Sequence, residues 1–507
     1  MNVPEWLRTM RLEARAYSND PLSYEDQTAL RTILKNVEDD VKSLESDISR
    51  LVKVVSHLEK RHAEGLIRID RLRVGLAPHK RLPPEILSKI FVHCDGYPLK
   101  LPPRYYRPIW SVTQVCSRWR SVALAEPLLW NQIKVRGSDR TDALNAFINE
   151  IFSNRGGQGA ISYDAPWITG PEEWEDVVTL LSTYPSRLVN LRIPFVGFIP
   201  PSFETSLSLF DSLESISISF RHLARHDVEK NRFMAFSTAQ NLRRALIHTP
   251  QRDNKLLSTW PTRISLPWRQ LTHLNVDVVP ISIFLTILHH CDSLVNCEVR
   301  LCDDPHSLEV VKIPVELNFL HSLVISDNTS YTAAEKLLDG IVTPALKILK
   351  FGEEDWDEWP QEFVLKLITQ SNCSIESFET PARALAEDEI LPLMRAMPQL
   401  KEFNAYTRQT ISQSTLEKIK SENLAPELGK LDGWRLASIR SFIELLRSRY
   451  TTRGGGLKMV RVWVPEDIFA PEKEYFKSML PGLTKGDRKI RVLPYSRSWE
   501  NPTSESD

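Results

Sequence analysis

The chain has 507 residues, 42% hydrophobic and 25% charged, with 64 basic against 65 acidic side chains and a formal charge of −1. That length is too great for one compact core and points to two to four units, or to a repeat array that grows without a single core. The near-neutral balance gives no basic footprint for nucleic acid or for an anionic membrane, so neither is expected as a partner. The opening MNVPEWLRTMRLEAR lacks the apolar centre of a secretory signal, and no run approaches the length that spans a bilayer. Six cysteines, mostly inside apolar patterns, fit reduced thiols, and the expected location is cytoplasmic or nuclear.

Residues 1–22 are mixed in character and read as a loosely ordered arm. Ser23, with Asp26 three residues on, resembles a helix-opening cap. From Leu30 to Leu76 apolar residues then recur by steps of three and four, flanked by Lys, Arg, Glu and Asp, with His62 and Gly65 as interruptions. The pattern is a heptad seam of about six repeats and predicts a coiled-coil helix over 23–77. Two arrangements satisfy it: a parallel homodimer through residues 30–76, or a helix that folds back on its own chain.

The next unit, 78–130, carries LPPEILSKIFVHC from Leu82. Pro83 and Pro84 stand where a first helical turn needs no amide hydrogens, and Ile86, Leu87, Ile90 and Phe91 make one broad apolar face. A proline-rich link from Asp95 to Pro108 leads to PIWSVTQVCSRWRSVALAEPLLW, one or two further short helices ending before Pro127. So small a helical unit cannot bury all its apolar surface internally, and part of it is expected to meet a partner.

LPPEIL, IF, VCSRW and PLLW, in that order, resemble the F-box. The resemblance implies docking on a Skp-type adaptor and, through it, on a cullin-RING ubiquitin ligase. It assigns adaptor contacts to Leu82, Pro83, Ile86, Leu87, Ile90, Val115, Cys116 and Trp119. The link at 95–108 is longer than the family pattern, which leaves the strength of adaptor binding open.

Beyond Trp130 a hexad of Leu-x-x-Leu-x-Ile type starts at Leu188, Leu213, Leu242, Leu271, Leu294, Leu320, Leu346, Ile375 and Leu400, at intervals of 23 to 29 residues, and again at Leu457 after 57. The last interval is about two units, so one copy there is expected to have decayed. Amphipathic helices lie between, such as ISIFLTILHHCDSL and WPQEFVLKLITQ. The pattern resembles degenerate leucine-rich repeats and, with LPWRQLTHLNV and the F-box, a fungal-type family of F-box proteins. The expected class is α/β: a coiled-coil helix, a three-helix F-box, then over 131–465 an irregular leucine-rich-repeat solenoid whose parallel sheet lines the concave face. A terminal repeat and disordered tail follow at 466–507. The Asn of the regular repeat is missing, Val196 and Val279 standing in its place.

The x positions of each hexad point away from the core. They make a row of mixed polarity, suited to protein and not to a phosphate backbone, and the candidate target contacts on it are Arg192, Arg243, Asn275, Glu298, Lys350 and Glu402. In this row Arg243 is grouped with Ala245. FGEEDWDEWP adds Trp356 and Trp359, either as exposed aromatics for a basic segment or as indoles tucked under a neighbouring repeat.

Cys291, Cys297 and Cys302 beside His289 and His290 read as small buried residues rather than a metal cluster, and RGGG at 453–456 reads as a turn. No nucleophile elbow or carboxylate pair emerges, so no catalytic residue, metal or cofactor is assigned. The expected role is a non-enzymatic receptor that brings an unidentified protein target to the ligase. The alternative is a coiled-coil and solenoid interaction scaffold outside the ubiquitin system.

Overall fold

A computed structural model of the chain describes residues 5–94, 98–101, 108–136, 142–197, 210–221, 236–248, 265–302, 314–327, 331–352, 359–380, 385–451, 456–484 and 487–495. Two compact units divide the chain, Met1–Leu87 and Ser88–Asp507.

In the first unit one helix runs unbroken from Tyr24 to Gly75, 52 residues. At 1.5 Å per residue that is a rod of about 78 Å. Its start is the capping motif read in the sequence: Ser23 Oγ accepts the amide hydrogen of Asp26 at 3.1 Å. No residue of the helix is buried, and the seam side chains from Leu34 to Leu72 are exposed. The preceding segment is more ordered than a loose arm, because Glu5–Ala16 is a second helix, joined to the rod by an ion pair between Arg15 and Asp26 at 3.2 Å.

The second unit is built on one parallel sheet of fifteen strands in chain order. They are β1 (Leu99–Leu101), β2 (Gln132–Val135), β3 (Ile161–Asp164), β4 (Leu188–Val196), β5 (Ser215–Arg221), β6 (Arg244–His248), β7 (His273–Pro280), β8 (Asn296–Cys302), β10 (Ser322–Asp327), β12 (Ile348–Phe351), β13 (Ser377–Glu379), β14 (Glu402–Asn404), β15 (Lys430–Arg435), β16 (Met459–Pro465) and β17 (Lys489–Tyr495). Two short strands, β9 (Val315–Glu316) and β11 (Ile341–Val342), pair separately.

The hexads account for the sheet. The first residue of each hexad is buried at or just before the start of its strand, and the fourth and sixth residues point into the core: Leu271, Leu274 and Val276 are 0 to 2% exposed. Helices follow the strands where the amphipathic pattern placed them, as in Ile281–Leu288 and Gln361–Ser371, which bury Phe284, Val364 and Leu367 completely. Aromatic rings then stack from strand to strand, Phe351 to Phe378, Phe403 and Trp434, with centroids 5.9 to 6.2 Å apart.

Three strands were not legible as hexads. Trp130 occupies the leucine position before β2, the buried residue beside Leu188 in β3 is Ile161 at a register shift, and β1 lies within the proline-rich link itself. There Leu99 and Leu101 are buried, and Leu99 pairs with Ile133 and Leu101 with Val135. The link is therefore long because it contributes the first strand of the sheet.

The decayed copy is β15. Leu428 and Leu431 keep the pattern, but Gly433 inserts a residue before Trp434, and the register to β16 shifts there. Gly433 has φ +96°, and a Cβ on it would lie 2.7 Å from the Ala405 carbonyl carbon and oxygen. Gly433→Ala is accordingly expected to cost about 2–4 kcal/mol, from the left-handed conformation and the backbone clash together, read as a lower urea midpoint. A second bulge in β7 holds Val278 at φ 60°, a conformation that β-branched residues rarely adopt, with its side chain fully buried.

Candidate functional site

The helical region after the rod is made of a 3-10 turn Pro78–Arg81 and helices Pro84–Cys94, Pro108–Val115 and Ser117–Ala125, closed by a second turn Pro127–Leu129. Pro84 is the first helical residue, and Pro83 supplies the first accepting carbonyl, to Ile86 and Leu87. The sequence left open one or two helices after the link; there are two, because the chain turns extended at Cys116. Its Sγ accepts the Trp119 amide hydrogen at 3.5 Å, so the cysteine acts as the cap of Ser117–Ala125.

The helices Pro108–Val115 and Ser117–Ala125 are tied to the sheet by Trp130. The indole is fully buried, donates its N–H to the Ala123 carbonyl at 2.7 Å, meets the Trp110 edge at 5.9 Å and lies under the Arg155 guanidinium at 5.2 Å. Phe91 packs on Trp119 with centroids 5.0 Å apart, and Ser88 donates to Glu126, whose other oxygen accepts the Leu128 amide hydrogen.

The eight residues assigned to adaptor contact divide by exposure. Leu87 is buried at 1%, and Leu82 and Trp119 are half-buried. Pro83, Ile86, Ile90, Val115 and Cys116 are exposed, with Ile86 at 41%, Ile90 at 39% and Val115 at 56%. On the helix Pro84–Cys94, Leu87 and Phe91 form a buried edge, while Ile86 and Ile90, also one turn apart, form an apolar edge left in solvent. Leu128, 52% exposed, is a further uncovered apolar residue that the sequence pattern had not singled out.

Along the sheet the parallel register lines up the outward rows. One runs Arg192, Ser217, Leu246, Asn275, Glu298, Val324, Lys350, Glu379, Asn404, Asp432 and Arg461 across consecutive strands. Arg192, Asn275, Glu298 and Lys350 thus share this row, and Glu402 lies in the neighbouring one, beside Ser377 and Lys430.

Arg243 requires correction. β6 begins at Arg244, so the outward residues are Arg244, Leu246 and His248, Ala245 is 3% exposed, and the Arg243 guanidinium instead donates to the Gln240 and Leu242 carbonyls at 3.0 and 3.2 Å. Counting that hexad as the others were counted gives Arg244. Trp359 is also not an exposed aromatic. At 8% exposure it sits with its ring edge-on to Phe351 and Phe378 at 5.4 and 5.9 Å. Trp356 and the acidic residues 353–358 lie outside the described residues, as do Arg453 and Gly454.

The charges on this face largely satisfy each other between strands. Asp164 receives Lys134 at 2.6 Å and Arg192 at 3.9 Å, Glu379 receives Lys350 at 3.2 Å, and Asp432 takes a two-pronged contact from Arg461 at 2.6 and 2.9 Å. Asp277 lies between His248 at 3.4 Å and Arg300 at 2.9 Å; the hydrogen bond from His248, aided by the Arg300 charge, holds its carboxyl below the usual range despite partial burial. Burial, and then Arg244, push the His273 imidazole down, and its Nε2 meets the Asn296 amide nitrogen at 2.8 Å. Such a face offers paired polar groups and a few apolar ones, which suits shape-dependent protein contact.

The cysteines behave as apolar residues. Cys291, Cys297 and Cys302 are buried, and burial raises the Cys291 thiol to about 12, that of Cys373 to about 11, and that of Cys297 further upward. Among the described residues no group of three or more His, Cys, Asp or Glu could hold a metal ion. In the native protein an alkylating reagent should modify Cys94 and Cys116, which are exposed, and reach the other four only on unfolding; mass spectrometry of the labelled peptides reads this directly. No helix among the described residues is long and apolar enough to cross a membrane.

No curated protein matches the chain. Residues 79–136 match the family model described as F-box-like, a span that takes in the three helices, the edge strand β1 and β2. The chain therefore carries an F-box-like domain at residues 79–136, followed by a parallel α/β sheet region.

Proposed function

We propose that the protein is a substrate receptor of a Skp-cullin-RING ubiquitin ligase. In this reading its F-box-like domain grips a Skp-type adaptor, and its sheet region, read as a degenerate leucine-rich-repeat solenoid, holds a protein target. The observation that carries the reading is the solvent-exposed apolar edge of Ile86 and Ile90, with Val115, inside a match to a family whose members typically dock on Skp-type adaptors. Exposed isoleucines one turn apart on an 11-residue helix gain free energy only when a partner removes them from water. The strictly sequential parallel order of the strands supports the solenoid, since each unit then covers only its neighbours.

No chemistry is assigned to the chain itself. The ligase's conjugating enzyme transfers ubiquitin, and the receptor contributes by holding the target near it, an effect of proximity and orientation. Trp130 and β1, which join the helical region to the sheet, would fix the geometry between adaptor and target. The site of action is the cytoplasm or nucleus. Target contact is assigned to the outward rows, with Arg192, Asn275, Glu298, Lys350 and Glu402 as its residues.

The test is affinity purification of the full chain under proteasome inhibition, with mass spectrometry of what accompanies it. Wild-type protein is expected to bring down a Skp-type adaptor and a cullin. An Ile86→Asp, Ile90→Asp variant should lose both while retaining, and accumulating, the target. Absence of any adaptor from the wild-type material contradicts the proposal.

A further inference from the structure

The rod Tyr24–Gly75 leaves the large apolar residues of its heptad seam from Leu34 to Leu72 in solvent, with Leu30 half-buried. Counting heptads from Leu34 places Leu34, Val41, Ile48, Val55, His62, Ile69 and Leu76 at a, and Leu30, Val37, Leu44, Leu51, Leu58, Gly65 and Leu72 at d. Leu34, Val41, Ile48, Leu51, Val55, Leu58 and Leu72 are 47 to 60% exposed, so the seam is the uncovered side of a helix that needs another helix.

The charges show which helix and which way round. From Ser23 to Arg50 there are seven acidic and four basic residues; from Leu51 to Leu76 there are six basic and three acidic. The rod therefore carries a net −3 on its first half and +3 on its second, spread along its length and not confined to the end turns where the helix dipole acts. Two copies laid parallel oppose like halves, and two laid antiparallel oppose unlike halves.

The flanking positions sharpen this. In a parallel pair Asp40 meets Glu45 and Arg68 meets Arg73 of the second copy, two repulsive contacts on each side. In an antiparallel pair centred on Lys53, Asp40 meets Arg68 and Asp47 meets Arg61 of the second copy, and the uncharged Val52 and Val54 meet their own counterparts. Against this stand Glu45 facing Glu59 and Arg31 facing Arg73, and a contact of Asp47 with its own Arg50 at 3.0 Å that must yield. That contact is exposed and weak.

The core is the deciding layer. Valine and isoleucine at a with leucine at d are compatible with parallel pairing, but parallel copies would stack Gly65 on Gly65 beside His62 on His62, two poor layers in succession. Antiparallel copies set His62 against Leu44 and Gly65 against Val41, covering each defect with a full side chain.

We infer that residues 30–76 form an antiparallel coiled coil with a second copy of this chain. Leu76 of one copy then lies beside Leu30 of the other, and the two chains leave the rod at opposite ends, about 69 Å apart. The inference does not rest on adaptor binding.

Sedimentation of the full chain at low salt tests it through two charge reversals. Wild type is expected to be a dimer. Asp40→Arg and Arg68→Asp should each weaken it by about tenfold, since each turns two attractive contacts repulsive, and an equal mixture of the two variants should regain wild-type affinity. Circular dichroism checks that both remain helical. In a parallel dimer each reversal relieves a repulsion and tightens the complex. Tightening, an unchanged affinity, a monomeric wild type or a larger oligomer overturns the inference.

Discussion

Replacing Ile86 and Ile90 with aspartate is expected to weaken binding of a Skp-type adaptor by at least about a hundredfold while lowering the unfolding free energy of the chain by only about 1–2 kcal/mol. The two expectations come from one fact, that these side chains are 41% and 39% exposed in the isolated chain. The packing lost on substitution is that of part-covered side chains and not of the core, and the carboxylate introduced in place of Ile86, near the positive end of its helix, offsets some of it. In a complex the same positions would bury two carboxylates without partners, which costs more than the lost apolar contact. Leu87 makes a poor probe by contrast. At 1% exposure its truncation would remove about 2–4 kcal/mol of folding energy and confound binding with stability. A double variant that binds as wild type does would remove this edge from the proposed interface.

The largest expected effect on stability is at Trp130. Trp130→Ala should cost about 3–5 kcal/mol, because a fully buried indole is replaced by a cavity at the point where helices and sheet meet. The loss includes the hydrogen bond to the Ala123 carbonyl and the contacts with Trp110 and Arg155. Trp130→Phe keeps most of the volume but forfeits the N–H, and should cost about 1–2 kcal/mol. Thermal melts of the two variants separate packing from hydrogen bonding. Equal, small shifts would mean that the join is not held here.

Periodicity located the rod, its Ser23 cap and the helices after the hexads, since each is specified by residues within one or two turns. It also located nine strands from Leu188 to Leu400, where a leucine, or Ile375, marks the buried position at or just before the start of each. Strand β2 escaped because Trp130 fills that place, and β3 because a register shift sets Ile161 beside Leu188 while Tyr163 and Ala165 take the next buried positions, a spacing and composition without the repeat signal. β15 escaped because Gly433 adds a residue, which shifts the period by one. β1 lay hidden in a proline-rich link, where two leucines around a lysine acquire their meaning only from the strand beside them.

At the candidate site the sequence distinguished an apolar helix but not its two edges. Ile86 and Leu87 are adjacent and chemically alike, yet one is in solvent and the other buried, a distinction that depends on what packs against the helix. The same limit applied to Trp359, whose acidic surroundings suggest exposure while Phe351 and Phe378 draw it into the core. Arg243 and Arg244 differ by one residue of register, which in a strand is the difference between faces.

Isothermal titration of the purified full-length protein with a purified Skp-type adaptor tests whether the F-box-like domain is an adaptor grip. A one-to-one complex per chain is expected, with a dissociation constant near or below about 1 μM and a negative heat-capacity change from apolar burial. No binding heat at any temperature, together with separate elution of the two proteins at about 50 μM each, would contradict it.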